Sequence, residues 1–125
     1  MIRIPSVISD YIASYNSFDI AGMMACMADD VHFVNRTGNE ISVETHGIEE
    51  FKRLAEQGIA IFQYRKQTIS NIIACNGHVT LDIDYVAKVA ADLPNGWRTG
   101  QTVQLRGVSI FTLKDGKIVD LVDMS

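Results

Sequence analysis

The chain has 125 residues, enough for one domain that buries roughly two-thirds of the surface its unfolded form exposes. Fifteen acidic and eleven basic residues, a net charge of −4, lie scattered rather than in runs, which excludes the electrostatic footprint of a nucleic-acid or anionic-membrane binder. Hydrophobic residues make up 47% of the chain but form no run long enough to span a bilayer, and "MIRIPSVISD" lacks the apolar stretch of a signal peptide, so a soluble cytoplasmic protein that meets a small, weakly charged partner is expected.

Ser6, after Pro5, reads as a helix N-cap, and Val7, Ile8, Tyr11, Ile12 and Tyr15 recur at helical spacing, so a first helix is expected to about Asn16. Asp19 reads as the cap of a second helix with the stripe Ile20, Met23, Met24 and Met27, and Phe18 is placed to pack on Met23 as a hydrophobic staple. "VHFVNR", residues 31–36, reads as a short strand, and the polar stretch 37–47 as a loop. Residues 48–62 carry Ile48, Phe51, Leu54 and Ala55 on one side and a Glu49–Arg53 pair on the other, which predicts a third helix.

From Gln63 the period changes to two. Residues 64–75 and 78–91 flank Asn76-Gly77, the sequence of a two-residue hairpin with positive φ at both positions. In the second of these strands Val79, Leu81, Ile83, Tyr85 and Ala87 share one face, and Thr80, Asp82, Asp84 and Lys88 the other. Residues 92–100, "DLPNGWRTG", form a longer connection to a strand at 101–113, and Lys114-Asp115-Gly116 turns into a last strand. Helices followed by a long meander argue for an α+β fold with the helices on one face of the sheet.

The last strand, "KIVDLVDM", sends Ile118, Asp120 and Val122 one way and Val119, Leu121 and Asp123 the other. Both faces are part apolar, so both are expected to be covered and at least one aspartate to leave water. Cys26 and Cys75 show no C-x-x-C spacing and read as reduced packing residues. The glycosylation triplet at Asn35 stays idle without secretion. His32, His46 and His78 stand singly, so no metal site is expected, and with no phosphate loop, nucleophile elbow or dinucleotide fingerprint no cofactor is expected either.

The runs "YIASYNSFDIAGMMACMADDVHFVN", "HGIEEFKRL" and "VQLRGVSIFTLKDGKIVDLVD" resemble the NTF2-like superfamily, in particular its SnoaL-like group, over nearly the whole chain as a single domain, residues 1–125. The resemblance implies a cystatin-like cone of three N-terminal helices packed in a curved antiparallel sheet, with a pocket between them and a homodimer through the outer sheet face. In such a cone the apolar pattern puts Val79, Leu81, Ile83, Tyr85, Leu105, Gly107, Ser109, Phe111, Val119, Leu121 and Asp123 inside. Asp82, Asp84, Arg106 and Asp120 then lie outside, where ion pairs are expected, beside an apolar dimer patch of Val108, Ile110, Ile118 and Val122.

The superfamily includes ketosteroid isomerase, limonene-type epoxide hydrolases, polyketide cyclases and proteins without catalysis. Tyr11 falls on the isomerase tyrosine, but Asn35 stands at its base and Ser109 at its acid, and Ser109 also stands near the aspartate of the cyclases. Asn35 and Asp123 match the asparagine and the water-activating aspartate of the limonene-type hydrolases. Phe33 replaces their tyrosine, and Tyr85 and Ala87, or in a shifted register Asp82 and Asp84, take the places of the arginine and second acid.

Asp123, Asn35 and Tyr11 are therefore the candidate catalytic residues, with Tyr15, Phe33, Phe51, Tyr85, Trp97 and Ser109 lining the substrate. An inward carboxylate on an apolar strand suits a general base of raised pKa. Tyr11 on such a stripe is more often a bonded core tyrosine, while Asn35 serves equally as a strand-end partner for backbone and Trp97 equally as a lid or a dimer contact. Two function classes follow. One is a cofactor-free acid–base enzyme of hydrolase, isomerase or cyclase type acting on a small apolar substrate, and the other a non-catalytic small-ligand-binding or dimerisation module.

Overall fold

In the computed structural model, which describes residues 4–125, helix α1 spans Ser6–Asn16 and buries Ile8, Tyr11 and Ile12. Its N-cap is Pro5 rather than Ser6. The extended Pro5 backbone turns its carbonyl to the N–H groups of Ile8 (3.0 Å) and Ser9 (3.2 Å), and no side chain caps the helix. Helix α2, Ile20–Ala25, is capped as expected by Asp19, whose carboxylate accepts from the Gly22 N–H at 3.0 Å.

The stripe expected to carry α2 to Met27 stops short, because strand β1, Met27–Thr37, begins at that residue and buries it. The Cys26 carbonyl already accepts from the Ile118 N–H at 2.9 Å, which commits the chain to the sheet after less than two helical turns. The stretch expected as a loop holds strand β2, Glu40–His46, paired antiparallel to β1 from Thr37–Glu40 to His32–His46. Gly47, at φ 86°, then opens α3, Ile48–Ile61.

Phe62 starts β3, Phe62–Cys75, instead of closing the helix. Asn76 and Gly77, at φ 49° and 79°, turn as expected into β4, His78–Val89. Strand β5, Thr102–Lys114, and β6, Lys117–Met124, complete a curved, open, six-stranded sheet of order β2-β1-β6-β5-β4-β3. The sheet is not wholly antiparallel. The last strand returns beside the first one laid down and pairs parallel to it, Phe33 opposite Leu121 and Asn35 opposite Asp123, with most of the chain serving as the crossover that such a pair requires.

Helix α1 packs on β3 and β6, and α3 on β1, β2 and β3, so the helices fill one face of the curve. Between them lies a core that includes Ile8, Phe51, Leu81, Phe111 and Leu121. Strict alternation breaks once in β6. Leu113 pairs with Ile118 and Thr112 with Asp120, which leaves Val119 as an unopposed bulge. Ile118 and Leu121 are therefore both fully buried in the core, and Ile118 does not stand outside with Asp120 and Val122. Val119, expected inside, is half-buried.

Candidate active site

Three adjacent strands set three polar residues side by side on the inner face. Asn35 of β1 and Ser109 of β5 are both register partners of Asp123 of β6. Ser109 donates its hydroxyl to Asp123 Oδ1 at 2.7 Å. Asn35 gives an amide N–H to Ser42 Oγ at 2.7 Å. Burial pushes the Asp123 carboxyl up to about 6, against the Ser109 hydrogen bond, which pulls it down.

Beside this row opens a cavity of about 560 Å³, lined by Asp123, Asn35, Ser109, Tyr15, Tyr85 and Trp97 together with Gln67, Ile83 and Leu105. It opens where β6 ends. Past Val108, β5 is paired on its β4 side but has run beyond the last residues of β6. Gly107 sits at this edge, and a Cβ there would lie 2.7 Å from the Met124 carbonyl oxygen, so only glycine lets the two strand segments come this close.

The opposite wall carries a pair of phenols. Tyr15 Oη and Tyr85 Oη are 2.9 Å apart, and their rings meet edge-on at 6.2 Å. Burial raises both pKa values, with the Arg65 charge lowering that of Tyr15 in part, so both hydroxyls stay protonated at neutral pH, one O–H donating within the pair and the other free to donate into the cavity.

Arg65, which periodicity alone did not single out, positions Tyr15. Only 3% of it is exposed, and among the described residues no carboxylate pairs with it. The guanidinium lies 3.7 Å over the Tyr15 ring and 4.7 Å from that of Phe18, and Nε donates to the Tyr15 carbonyl at 2.9 Å. Next to it, Asn16 and Gln67 exchange side-chain and backbone hydrogen bonds of 2.8 and 3.2 Å, which ties the end of α1 to β3. The available signal was phase, since Arg65 and Ile69 fall on the same face of β3 while Tyr64 and Lys66 are exposed.

Of the other expected site residues, Tyr11, Phe33 and Phe51 lie away from the cavity. Tyr11 is in the core, edge-on to Phe111 at 6.0 Å, its hydroxyl pKa raised first by burial and then by Asp123. Phe33 and Phe51 pack on each other at 5.3 Å, also within the core. Trp97 lies at the cavity in the β4–β5 connection, against Phe62 at 6.3 Å, and its carbonyl accepts from the Leu93 N–H at 2.8 Å. Arg106 pairs with Asp84 at 3.3 Å on the outer face, as expected there. Asp123 is the one Asp or Glu side chain among the lining residues.

The fold resembles those of known proteins. A protein from Catenulispora acidiphila with a ketosteroid isomerase-like fold, solved with trimethylamine, superposes with a TM-score of 0.80 at 15% identity over 97% of this chain and 85% of that one. An M. tuberculosis LEH-like epoxide hydrolase gives 0.75 at 15% identity over 96% and 80%. A candidate polyketide cyclase from Silicibacter gives 0.75 at 20% identity over 94% and 85%. At these identities the likeness is one of fold. No curated protein matches the chain. The sequence itself matches the SnoaL-like domain over residues 8–121, nearly its full length, and the chain belongs to that family.

Proposed function

We propose that the protein is a cofactor-free enzyme that performs acid–base chemistry of hydrolase, isomerase or cyclase type on a small apolar molecule, with Asp123 as general base. The observation that carries this is the Asp123 carboxyl at the wall of a largely apolar cavity, its pKa pushed up to about 6 and one oxygen held by Ser109. A carboxylate of that pKa is mostly ionised at neutral pH yet more basic than an ordinary one, which favours proton removal from water or from a carbon acid. Oδ2 takes the proton, Asn35 orients the molecule that gives it up, and the neutral Tyr15–Tyr85 pair donates to oxygen where negative charge develops. Trp97 covers the apolar end. The reading includes a cytoplasmic protein, in keeping with two free thiols, one of them on exposed Cys75, and a homodimer through the outer sheet face. No helix among the described residues is long and apolar enough to cross a membrane.

The test is a panel of epoxides and enolisable cyclic ketones, with product formation followed by mass spectrometry and binding by Trp97 fluorescence. Turnover that falls at least about 100-fold in Asp123→Asn, while binding remains, supports the assignment. Turnover that survives the substitution rules out Asp123 as the base. Saturable binding without turnover of any member supports a ligand-binding module instead.

A further inference from the structure

On the sheet face turned away from the helices, strand pairing assembles a cluster that spacing along the chain conceals. His32 of β1 stands directly opposite His46 of β2, Glu44 is the next residue of β2 on the same face, and Asp120 of β6 stands beside His32 on its other flank. The two imidazoles stack with centroids 4.8 Å apart and planes 22° from parallel. Glu44 Oε2 lies 2.6 Å from His32 Nε2 and 3.7 Å from His46 Nε2, and the ligating atoms of all three residues fall within 4.8 Å of one another.

We propose that His32, His46 and Glu44 bind a divalent cation of the zinc class, and that Asp120 is the positioning residue of the site. Tetrahedral zinc with nitrogen and oxygen ligands at about 2.0–2.1 Å spaces its ligand atoms about 3.3 Å apart, so the two contacts to Glu44 need shifts of about 0.4–0.7 Å, and the edge between the two imidazoles, whose ligand atoms lie within 4.8 Å, closes by up to about 1.5 Å as the rings turn out of their stack. Such shifts are within reach of side chains that are 35%, 39% and 71% exposed for His32, Glu44 and His46. An independent observation concerns the other ring nitrogen of His32. Nδ1 faces Asp120 Oδ1 at 3.2 Å, the carboxylate partner that fixes a metal-binding imidazole in the tautomer whose Nε2 is free to ligate. Two imidazoles and one carboxylate suit zinc and its borderline neighbours, whereas magnesium and calcium prefer oxygen alone. Water completes the coordination on this open surface. The ion clamps β2, a mostly exposed edge strand, to β1, on the opposite face from the cavity.

The test uses the full chain without an affinity tag, stripped of metal and titrated with zinc chloride against a chromophoric chelator, with thermal unfolding recorded in parallel. The expected result is one zinc per chain and a zinc-dependent rise in Tm. His46→Ala and Glu44→Ala each weaken binding at least about 10-fold and remove the rise, and Asp120→Asn weakens it by about 10-fold at unchanged stoichiometry and unchanged cobalt absorption spectrum. His78→Ala, two strands beyond Asp120, binds as wild type. Absence of micromolar zinc binding, binding that His46→Ala leaves intact, or an equal rise in Tm with calcium overturns the proposal.

Discussion

Asp123 stands at a cost in stability that has a sign. Its pKa is raised from 3.8 to about 6 in the folded chain, so between those values the native state holds a proton that the unfolded chain has released. Stability is therefore greatest, as far as this group is concerned, below the unfolded value, and is lost as pH rises through about 6. Asp123→Asn keeps an acceptor for Ser109 and removes the buried charge. The variant is expected to unfold at higher urea at pH 7, by about 1–2 kcal/mol, with the gain gone at pH 4. An equal difference at both pH values would mean that ionisation at this position carries no penalty. If Asp123 is the base, kcat/KM of the wild type should climb through the same pH region. That Asp123 and Asp120 face opposite ways was legible from alternation along β6, and which of them faces inward came from the cone that the family resemblance implies. The side of Ile118 was not legible, because the bulge at Val119 reverses the phase and nothing in "KIVD" marks a bulge.

At the scale of elements, what periodicity recovered is what burial makes periodic. The faces of α1 and α3 and the Asn76-Gly77 hairpin were readable because each expresses a core contact or a turn conformation in residue type. Strand β2 was not readable as a whole, being an edge strand whose residues are mostly exposed, although the alternation of Ile41, Val43 and Thr45 was a signal. The parallel joint of β1 with β6, and with it the meeting of His32 with Asp120, belongs to tertiary topology, which no local window contains. The junction of α1 with β3 rests on Arg65, and this gives a test that separates charge from shape. Arg65→Lys keeps the charge but loses the flat stack on Tyr15 and the fork that reaches its carbonyl. It is expected to lower the unfolding free energy by about 1–3 kcal/mol in urea titration, since a buried ammonium is left short of partners. A loss close to zero would show that the guanidinium plane is not what holds Tyr15.

At the scale of the whole molecule, the proposed dimer follows from one row across the outer face. Register sets Val34 of β1 beside Val122 of β6, and Val122 beside Ile110 of β5, and all three side chains are on the side opposite Phe33, Leu121 and Phe111. Among the described residues the helices pack on the inward face, and on the outer face Val34 is buried while Ile110 and Val122 are half-buried. One row over, Val108 stands opposite Met124 and extends the apolar strip, while Ile118, turned inward by the bulge, is not part of it. At the end of the strip a hollow of about 590 Å³, lined by Ser70, Asp82, Arg106, Val108 and Met124, gives side chains of a second copy a place to enter. A strip shared across a two-fold axis buries itself against its own copy, which places Ile110 and Val122 near the centre of the contact and the Asp84–Arg106 pair towards its rim. Sedimentation at micromolar concentration is therefore expected to give twice the chain mass. Ile110→Asp or Val122→Asp should shift it to the monomer with the circular dichroism of the fold retained, because each puts an unpaired charge at the centre of the contact. Wild type sedimenting as a monomer would remove the dimer from the proposal and leave the cavity chemistry untouched, since Asp123, Ser109 and the Tyr15–Tyr85 pair all belong to a single chain.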